Sequence, residues 1–372
     1  MILAKKVRIK PTAEQEQKLW QSVGTARYVY NWALAKEKEN YESGGKFISD
    51  NDLRKELTQL KKEELPWLKE VSNNVAKQAV KDACEAYKRF FKKQAKHPRF
   101  KSRKRSKPSF YNDTDKLKVK RLSVLIEKVG WVKTSEQIPM DTKYTNPRIS
   151  HDGKYWHISV GIEIETASVE LSDLTIGIDL GLKELAVISN ETIYKNINKT
   201  RSVKQLEKRL RRLQRQASRK YEMNKEGKSF VKTCNISKLE KQIRLVHRRL
   251  TNIRNNHLHQ VTTAIVKTKP SRIVLEDLNV KGMLKNKHLS KAVAQSKFHE
   301  FKRFLIYKCE MYGIELIVAD RWFPSTQICS CCQNTKTGME KLKLKDRVYK
   351  CHCGHVMDRD LNASINLSRY SA

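Results

Sequence analysis

Acidic residues, long hydrophobic runs, and cysteines outside one short segment are all scarce in this sequence. Against 77 Lys and Arg residues there are only 40 Asp and Glu residues, a net charge of +37 in 372 residues. That imbalance excludes an acidic or neutral housekeeping enzyme and favours a polyanionic partner. No apolar run approaches the roughly 18 residues of a membrane span, and the N-terminus MILAKKVRIK lacks the apolar core of a signal peptide. We therefore expect neither a membrane protein nor a secreted one.

The eight cysteines are unevenly distributed, and five of them fall within residues 329–353. A cluster of this kind argues against a disulfide scaffold and favours metal binding. A C-x2-C pair is followed, 19 positions later, by a shorter C-x-C pair, and four thiolates on two turns match a structural zinc ribbon. The predicted ligands of one Zn²⁺ are Cys329, Cys332, Cys351 and Cys353. Because the second pair is one residue short, three nearby side chains stay open as substitutes: Cys331, His352 and His355.

The front half of the chain begins with a strand and continues with helices. Residues 2–10 predict the strand, after which Thr12 and Gln15 form the capping box of a first helix. Apolar residues at helical spacing predict two more helices, at about 50–61 and at about 71–95. We therefore expect a helical block directly after the first strand.

A basic stretch, HPRFKSRKRSKPSF, follows at residues 97–110. It is either a solvated linker or a strip that follows a phosphate backbone. At this net charge we favour the strip, with Phe100, Phe110 and Tyr111 as base-stacking faces.

From about residue 117 to residue 165 the hydrophobic period changes to two, which predicts strands. Asp152 and Gly153 form a sequence pair that is typical of a hairpin turn. We expect these strands to form a small barrel that the N-terminal strand completes.

The back half alternates apolar strands with helices. Strands are predicted at 174–179, 185–189, about 192–194, 272–278 and 313–320, and helices at about 291–312 and 361–369. Together with the hairpin described below, these elements stand in the order of an RNase H-like nuclease fold. That match alone is weak, because many α/β folds have similar element orders.

Residues 199–268 predict a long basic helical hairpin between the third and fourth of these strands. Apolar residues repeat at spacings of 4 and 3 in both arms, so the arms are expected to pair along an apolar seam. The seam residues are Leu206, Leu210, Leu213, Leu239, Ile243, Val246, Leu250 and Ile253. Residues 201–254 carry 18 Lys or Arg against 4 Glu, which favours a nucleic-acid surface over a merely solvated face.

Three acids stand at the ends of predicted elements. Asp179 closes the first strand of the back half in GIDLG, Glu276 closes the fourth in VLEDL, and Asp360 opens the last helix. Singly, Asp360 could be a helix cap, as could Asp358, and Glu276 could be a strand-end salt bridge. Together, in this order and in so basic a chain, the acids indicate a site for two Mg²⁺ ions that cleave a phosphodiester. The glycines of GIDLG would let backbone or ligand approach closely.

These motifs together resemble the TnpB family, the OrfB-type proteins of bacterial insertion sequences. GIDLG, the strand that ends at Glu276, FPSTQICSCC, YKCHCG and DRDLNASINL stand in the family's order and spacing. KPTAEQEQKL followed by GTARYVYNWAL resembles the family's N-terminal region, so the resemblance covers essentially the whole chain. The sequence departs from the family pattern at Gln333, where a glycine usually follows the first knuckle, and at the short second knuckle.

The resemblance implies an RNA-guided, Mg²⁺-dependent DNA endonuclease encoded by a transposable element. It implies DNA and a guide RNA as partners, no small-molecule substrate, and a cytoplasmic, nucleoid-associated location in a prokaryote. It assigns catalytic metal binding to Asp179, Glu276 and Asp360, and zinc binding to the four cysteines of the two pairs.

The architecture that the resemblance implies is a multidomain α/β protein. Its parts are a split wedge β-barrel (1–10 and 100–170), a helical recognition domain (11–99), an RNase H-like, RuvC-like nuclease domain (171–321 and 357–372) and an inserted zinc ribbon (322–356).

Two other functions stay open beside this one. The first is a guide-directed DNA-binding repressor that does not cut. The acids argue against it, because such relatives lose one or more of them and this chain retains all three. A transposase that acts directly on transposon ends would need a serine or tyrosine nucleophile or a transesterifying acidic triad. A cleavage assay with Mg²⁺ and a strand-transfer assay with a labelled end distinguish these alternatives.

Overall fold

The computed structural model describes residues 1–103, 105–140, 142–165, 169–227, 229–343 and 345–371. Residue 104 of the predicted basic strip, residue 228 of the predicted helical hairpin and residue 344 of the predicted ribbon lie outside this part. The chain divides into two units, Met1–Ile164 and Glu165–Ala372. Among the described residues, no helix combines the length and the apolar character that crossing a membrane requires.

The first unit contains three α-helices and a seven-stranded antiparallel sheet among its described residues. Its elements are β1 (Ile2–Lys10), α1 (Ala13–Glu42), α2 (Asp50–Glu63), α3 (Asn73–Phe91), β2 (Ser109–Tyr111), β3 (Lys118–Lys120), β4 (Ser123–Ile126), β5 (Gly130–Thr134), β6 (Tyr144–His151) and β7 (Trp156–Glu163). The strands lie in the order β2-β6-β7-β1-β5-β4-β3. The N-terminal strand therefore lies in the middle of the sheet, and in the described residues the edge strands β2 and β3 do not pair. Closure into a barrel stays a prediction.

Local signals in this unit are confirmed. The Oγ1 atom of Thr12 accepts from the N–H of Gln15, and the side chain of Gln15 accepts from the N–H of Thr12, which is the predicted capping box of α1. The Asp152-Gly153 pair lies in the turn between β6 and β7, and Gly153 has a φ of 94°. Such a positive φ favours glycine, so the turn residues match the turn.

One expectation for the basic strip is wrong. Phe110 was expected to offer a base-stacking face, but it lies on β2 and only 3% of its surface is exposed. Its ring belongs to the apolar core that the sheet shares with Leu19 and Val23 of α1. Phe100 is 56% exposed and Tyr111 is half-buried, so only these two could offer part of a ring to a base.

The second unit is built on a five-stranded mixed sheet, with strands in the order β10-β9-β8-β13-β14. Its elements are β8 (Ser172–Leu180), β9 (Glu184–Ile188), β10 (Ile193–Lys195), α4 (Arg201–Met223), β11 (Lys225–Glu226), β12 (Ser229–Phe230), α5 (Cys234–Lys267), β13 (Pro270–Leu275), α6 (Val280–Lys285), α7 (Ser290–Ser296), α8 (Phe298–Tyr312), β14 (Glu315–Val318), β15 (Val348–Lys350), β16 (Val356–Asp358) and α9 (Arg359–Ser368). Strands β8, β13 and β14 are parallel, while β9 is antiparallel to both of its neighbours. The carboxyl ends of β8, β13 and β14 therefore lie at one edge of the sheet.

The two faces of this sheet are covered by different helices. Ile176 and Ile178 of β8 pack into an apolar core with α5 and α8. Gly177 faces the other way, because successive strand residues alternate between faces. A Cβ atom at Gly177 would lie 1.9 Å from the carbonyl oxygen of Ser364 in α9. The backbone of α9 therefore lies directly on β8, an approach that only glycine permits.

The basic hairpin is confirmed as α4 and α5, which pack along the predicted seam. The predicted single helix at about 291–312 is wrong. It is divided into α7 and α8 at Lys297, whose φ of 55° is left-handed and interrupts the helix. The Nζ atom of Lys297 donates a 2.5 Å hydrogen bond to Oδ1 of Asn255 in α5, which holds this break in place.

Candidate functional site

Two of the three predicted acids touch each other at the carboxyl edge of the sheet. Asp179 is the penultimate residue of β8 and is only 7% exposed. Glu276 directly follows β13, and the register aligns Ile178 with Leu275, the residues just before the two acids. The carboxyl groups of Asp179 and Glu276 are close enough to shift each other's pKa.

Asp360 lies in the first turn of α9 and is close enough to act on both of these acids by its charge. The helix cap is Asp358, whose Oδ1 atom accepts from the N–H groups of Asp360 at 2.9 Å and Leu361 at 3.2 Å. The side chain of Asp360 is therefore not the helix cap. It accepts instead from Arg359, whose Nε and Nη2 atoms lie 3.1 and 2.9 Å from Oδ1.

The electrostatics of this cluster favour a bound cation. Burial, followed by the charges of Glu276 and Asp360, holds the pKa of Asp179 well above its usual range, and the guanidinium of Arg359 only partly opposes this. Burial also raises the pKa of Glu276, against the hydrogen bond from Asp179. Ionised carboxylates in such a place need a counter-charge. Oxygen ligands of this kind suit hard divalent cations such as Mg²⁺.

The strand-end salt bridge considered for Glu276 belongs to the next residue. Asp277 accepts from Nε of Arg321 at 3.1 Å and lies 3.6 Å from Nζ of Lys302. The hydrogen bond from Arg321 lowers the pKa of Asp277. Glu276 is left to pair with Asp179.

The four predicted zinc ligands form one cluster. The sulfur atoms of Cys329, Cys332, Cys351 and Cys353 all lie within 4.8 Å of one another. No other group of three or more His, Cys, Asp or Glu side chains in the described ranges has its ligand atoms so close together, so the three carboxylates are more widely spaced than the thiolates. This cluster could bind Zn²⁺.

The three possible substitute ligands have other surroundings. Cys331 is exposed and is outside the cluster. Nε2 of His355 lies 3.1 Å from Oγ of Ser330, and Nε2 of His352 lies 2.6 Å from Nδ2 of Asn334. Although the second knuckle is one residue short, both of its cysteines therefore belong to the cluster.

The thiol pKa values also indicate a site that favours a cation. Burial raises the pKa of Cys329, but hydrogen bonds from the backbone N–H groups of Cys332 and Cys331 and from the thiols of Cys351 and Cys332 together lower the value to about 7. The N–H of His355 lowers the pKa of Cys353, yet the crowding sulfurs raise it to about 12. A thiolate is the form that binds metal, and crowded thiolates repel one another unless a cation lies among them.

Two buried asparagines connect this cluster to α9. Asn362 is fully buried; its Oδ1 accepts from the N–H of Ser330 at 2.9 Å and its Nδ2 donates to the carbonyl of Ile328 at 2.7 Å. Asn366 donates to the same carbonyl at 2.7 Å. These bonds hold the backbone on both sides of Cys329. The cysteine cluster and Asp360 are thus attached to the same helix.

The roles of Arg359, Asn362 and Asn366 were not expected from the sequence. All three stand in DRDLNASIN, where two asparagines four positions apart share one helical face. That spacing, in a segment with a predicted catalytic acid, is a signal that could have identified them.

Comparison with known proteins gives matches along most of the chain. Residues 1–46 match a family profile described as "Helix-turn-helix domain", residues 157–287 one described as "Probable transposase", and residues 298–367 one described as "Cas12f1-like, TNB domain". In the structure, residues 1–46 hold β1 and the single helix α1 rather than two helices joined by a turn.

Curated relatives match over nearly the full length. A Streptomyces pristinaespiralis protein named "Putative RNA-guided DNA endonuclease" is 32% identical over 367 residues, with 97% of this chain and 87% of the relative covered. The Escherichia coli K12 protein "Putative RNA-guided DNA endonuclease InsQ" is 30% identical over 380 residues, with 97% and 90% covered. The solved structure "Cryo-EM structure of the Cas12f1-sgRNA-target DNA complex" has a TM-score of 0.60 at 12% identity and covers 99% of this chain and 98% of its own, a likeness of fold. With relatives of this identity over this length, the chain belongs to the TnpB family.

Proposed function

We propose that this chain is an RNA-guided DNA endonuclease that cuts with Asp179, Glu276 and Asp360. The observation that carries the proposal is that the buried Asp179 and the half-buried Glu276 lie side by side at the carboxyl edge of the sheet, with Asp360 in the first turn of α9 close enough to act on both by its charge. Buried acids that face one another are costly unless a cation neutralises them. The family members of S. pristinaespiralis and E. coli are named RNA-guided DNA endonucleases, which supports the same activity here.

We infer that the second unit has an RNase H-like, RuvC-like fold. Three consecutive strands, a helical hairpin, a strand, helices, a strand and a final helix follow one another in its described residues. The catalytic acids of this proposal end β8, follow β13 and open α9, the three places expected from the sequence. The likeness to the Cas12f1 structure supports the fold of the chain as a whole.

The residues of the site divide the work of cleavage. Asp179, Glu276 and Asp360 would hold divalent cations, which when bound supply an activated water and neutralise the leaving oxygen of the phosphodiester. Arg359 orients Asp360 by donating two hydrogen bonds to Oδ1, while Oδ2 lies 3.8 Å from Nη1 of Arg347. The low exposure of Asp179 limits the access of bulk water to this carboxyl group, which strengthens its interactions with nearby charges.

We also propose that the cysteine cluster binds one structural Zn²⁺. Four thiolates complete the coordination of this ion, so it would take no part in the chemistry. Its binding free energy would fold the ribbon, a segment too short to bury a core of its own. Through Asn362 it would also support the start of α9.

The basic hairpin supplies a surface for the proposed RNA and DNA. Many of the basic side chains of α4 are exposed: Arg201, Lys204, Lys208, Arg209, Arg211, Arg212, Arg215 and Arg219. In the first unit Lys118, Lys120 and Arg121 are exposed as well. A guide–target heteroduplex is held by its backbone and A-form shape, so sequence choice passes to base pairing. Each neutralised phosphate should contribute roughly −0.7 to −0.9 to the slope of log affinity against log salt.

The test is a cleavage assay with purified protein, a guide RNA and a matching DNA duplex. We expect hydrolytic cutting with Mg²⁺, none with Asp179→Ala, and wild-type cutting with Asp173→Ala, an exposed aspartate on the same strand. Guided binding without any cutting by the wild type would indicate a repressor instead. Joining of a labelled transposon end to a second DNA would indicate a transposase.

A further inference from the structure

The segment that follows β14 displays a tryptophan that the protein itself does not cover. Trp322 is 85% exposed, while its neighbour Phe323 is half-buried and packs against Tyr370 with ring centroids 4.9 Å apart. A single exposed apolar ring is common on protein surfaces, so the role of Trp322 depends on what lies beside it.

Three hydrogen bonds hold the turn that carries Trp322. The N–H of Ala319 donates to the carbonyl of Leu275 at 2.8 Å, and the N–H of Asp320 donates to the hydroxyl of Tyr370 at 3.2 Å. Oδ1 of Asp320 accepts from the N–H of Trp322 at 2.8 Å. The exposure of the indole is therefore built into an ordered turn.

The same turn lies at the edge of the sheet that holds the proposed catalytic acids. Strand β14 is parallel to β13, and Leu275 is aligned with Val318, so the residues after each strand emerge side by side. Trp322 lines an open cavity of about 540 Å³ together with Asp277, which directly follows Glu276.

The charges in this cavity fit a nucleobase better than a phosphate. Arg321 and Lys302 both line it, but both are paired with Asp277, and Asp320 lines it as well, so two carboxylates balance the two cations. Cations that are already neutralised attract a phosphate weakly. A flat, exposed indole offers a stacking surface to any base whose face is free.

Resting on the proposed function, we propose that Trp322 and the cavity beside it form a binding site for one unpaired base of the DNA strand that is cut. Stacking here would hold the strand in register with the acids at the same edge. A base inside a duplex has both faces covered by its neighbours, so only an unpaired base could occupy the site.

Photocrosslinking tests this site without any cutting. Full-length protein with Asp179→Ala would be loaded with guide and with target DNA carrying 5-iododeoxyuridine at successive positions of the cut strand. Irradiation should attach one position to Trp322, as mapped by mass spectrometry. A crosslink that maps only to other aromatic residues, or none at any position, would overturn the proposal.

Kinetics give the second readout. In the cutting-competent protein, Trp322→Ala should slow cleavage about tenfold and Trp322→Phe less than threefold, since a phenyl ring still stacks. Met339→Ala, at another fully exposed apolar residue of the same unit, should have no effect. Unfolding temperature and zinc content should stay at the wild-type value, because the indole is exposed.

An abasic nucleotide separates stacking from a structural role. Scanned along the cut strand, it should slow the wild type about tenfold at one position and leave Trp322→Ala unchanged there. Equal slowing of both proteins at every position would contradict the proposal. If Asp179→Ala itself cuts, the proposed function fails, whereas the crosslink to Trp322 can still be present or absent.

Discussion

The cysteine cluster and the carboxylate cluster both crowd anionic groups, but they are assembled from very different lengths of chain. The four cysteines lie within residues 329–353, and their sulfur atoms are within 4.8 Å of one another. The three acids are separated by 97 and 84 positions and are more widely spaced. Two knuckles fix the first cluster locally, whereas the second exists only when β8, β13 and α9 pack together.

Because they are built differently, the two sites should respond differently to substitutions. A local cluster depends on its own ligands and on the ion that they bind. A cluster built from distant segments depends on packing, here on the contact of α9 with Gly177. The asparagines of α9 couple the two, because Asn362 and Asn366 hold the backbone beside Cys329. Damage to the cysteine cluster should therefore reach the acids, while loss of one acid should spare the zinc.

The largest effect is expected from Asp179→Asn. Cutting should fall at least about a thousandfold, since a metal ligand supplies several kcal/mol of transition-state stabilisation. Zinc content should stay at one ion, as measured by metal analysis. Asp173→Asn on the same strand is the matched control and should cut normally. Cutting by Asp179→Asn at a wild-type rate would remove this residue from the site.

Asp179→Asn should make the protein more stable although it abolishes most of the cutting. The pKa of Asp179 is raised in the folded protein, so this group favours folding at low pH. In Mg²⁺-free buffer the contribution of Asp179 to the stability of the wild type should therefore fall as pH rises from about 4 through the raised pKa, and the difference from Asp179→Asn measures it. Asp179→Asn should lack this loss and unfold at a higher temperature at neutral pH. A lower unfolding temperature would show that the carboxylate is not under repulsion.

Cys329→Ser should have the next largest effect on cutting, because it removes one thiolate from the cysteine cluster. The variant should lose its zinc, and cutting should fall roughly 10- to 100-fold as the support of α9 weakens. Cys331→Ser, at an exposed cysteine outside the cluster, should keep both zinc and activity. Zinc retained in Cys329→Ser would instead favour one of the substitute ligands.

Gly177→Ala attacks the packing that assembles the acids. The added methyl group would meet the backbone of Ser364 and Ser368, so we expect about 1–3 kcal/mol of destabilisation from overpacking and slower cutting. Zinc should remain bound, since the cysteine cluster is built locally. Gly24→Ala is the control, because Gly24 lies in a helix and a Cβ atom there would have nothing within 4 Å. Its added methyl group should leave stability unchanged or raise it by up to about 1 kcal/mol. Equal unfolding temperatures for the two variants would contradict the close packing of α9.

The smallest effect is expected at the first knuckle. Gln333 has a φ of 62°, a left-handed conformation that glycine adopts without strain. Gln333→Gly should therefore stabilise the ribbon by about 1 kcal/mol, detected as slower loss of zinc to a chelator. Cutting should not change. Faster zinc loss would mean that the glutamine side chain contributes more than the strain costs.

The parts predicted well from the sequence are those with short-range causes. The capping box at Thr12, the Asp152-Gly153 turn and the seam of the basic hairpin each depend on residues close in sequence or on a regular repeat. The close approach at GIDLG was also expected, and Gly177 is where it occurs. Asp179 and Glu276 lie side by side at the sheet edge, as their predicted places at strand ends suggest, while their binding of metal stays a prediction.

The parts that the sequence did not reveal depend on tertiary packing. Phe110 stands in a basic, aromatic stretch, yet a three-residue strand turns it into the core. Nothing in the periodicity around Lys297 signals a break, because the break is held by Asn255 of another helix. The link from Asn362 to the cysteine cluster likewise crosses more than 30 positions. The spacing of Asn362 and Asn366 marks one helical face, but it does not show which distant backbone that face contacts.

The most direct test of the account is to exchange the guide. The wild-type protein would be loaded in turn with two RNAs that differ only in their guide segment, and offered both matching DNA duplexes with Mg²⁺. We predict that each complex cuts only its own target and that Asp179→Ala abolishes both cuts. Cutting that ignores the guide, or that persists after the RNA is digested, would contradict an RNA-guided nuclease.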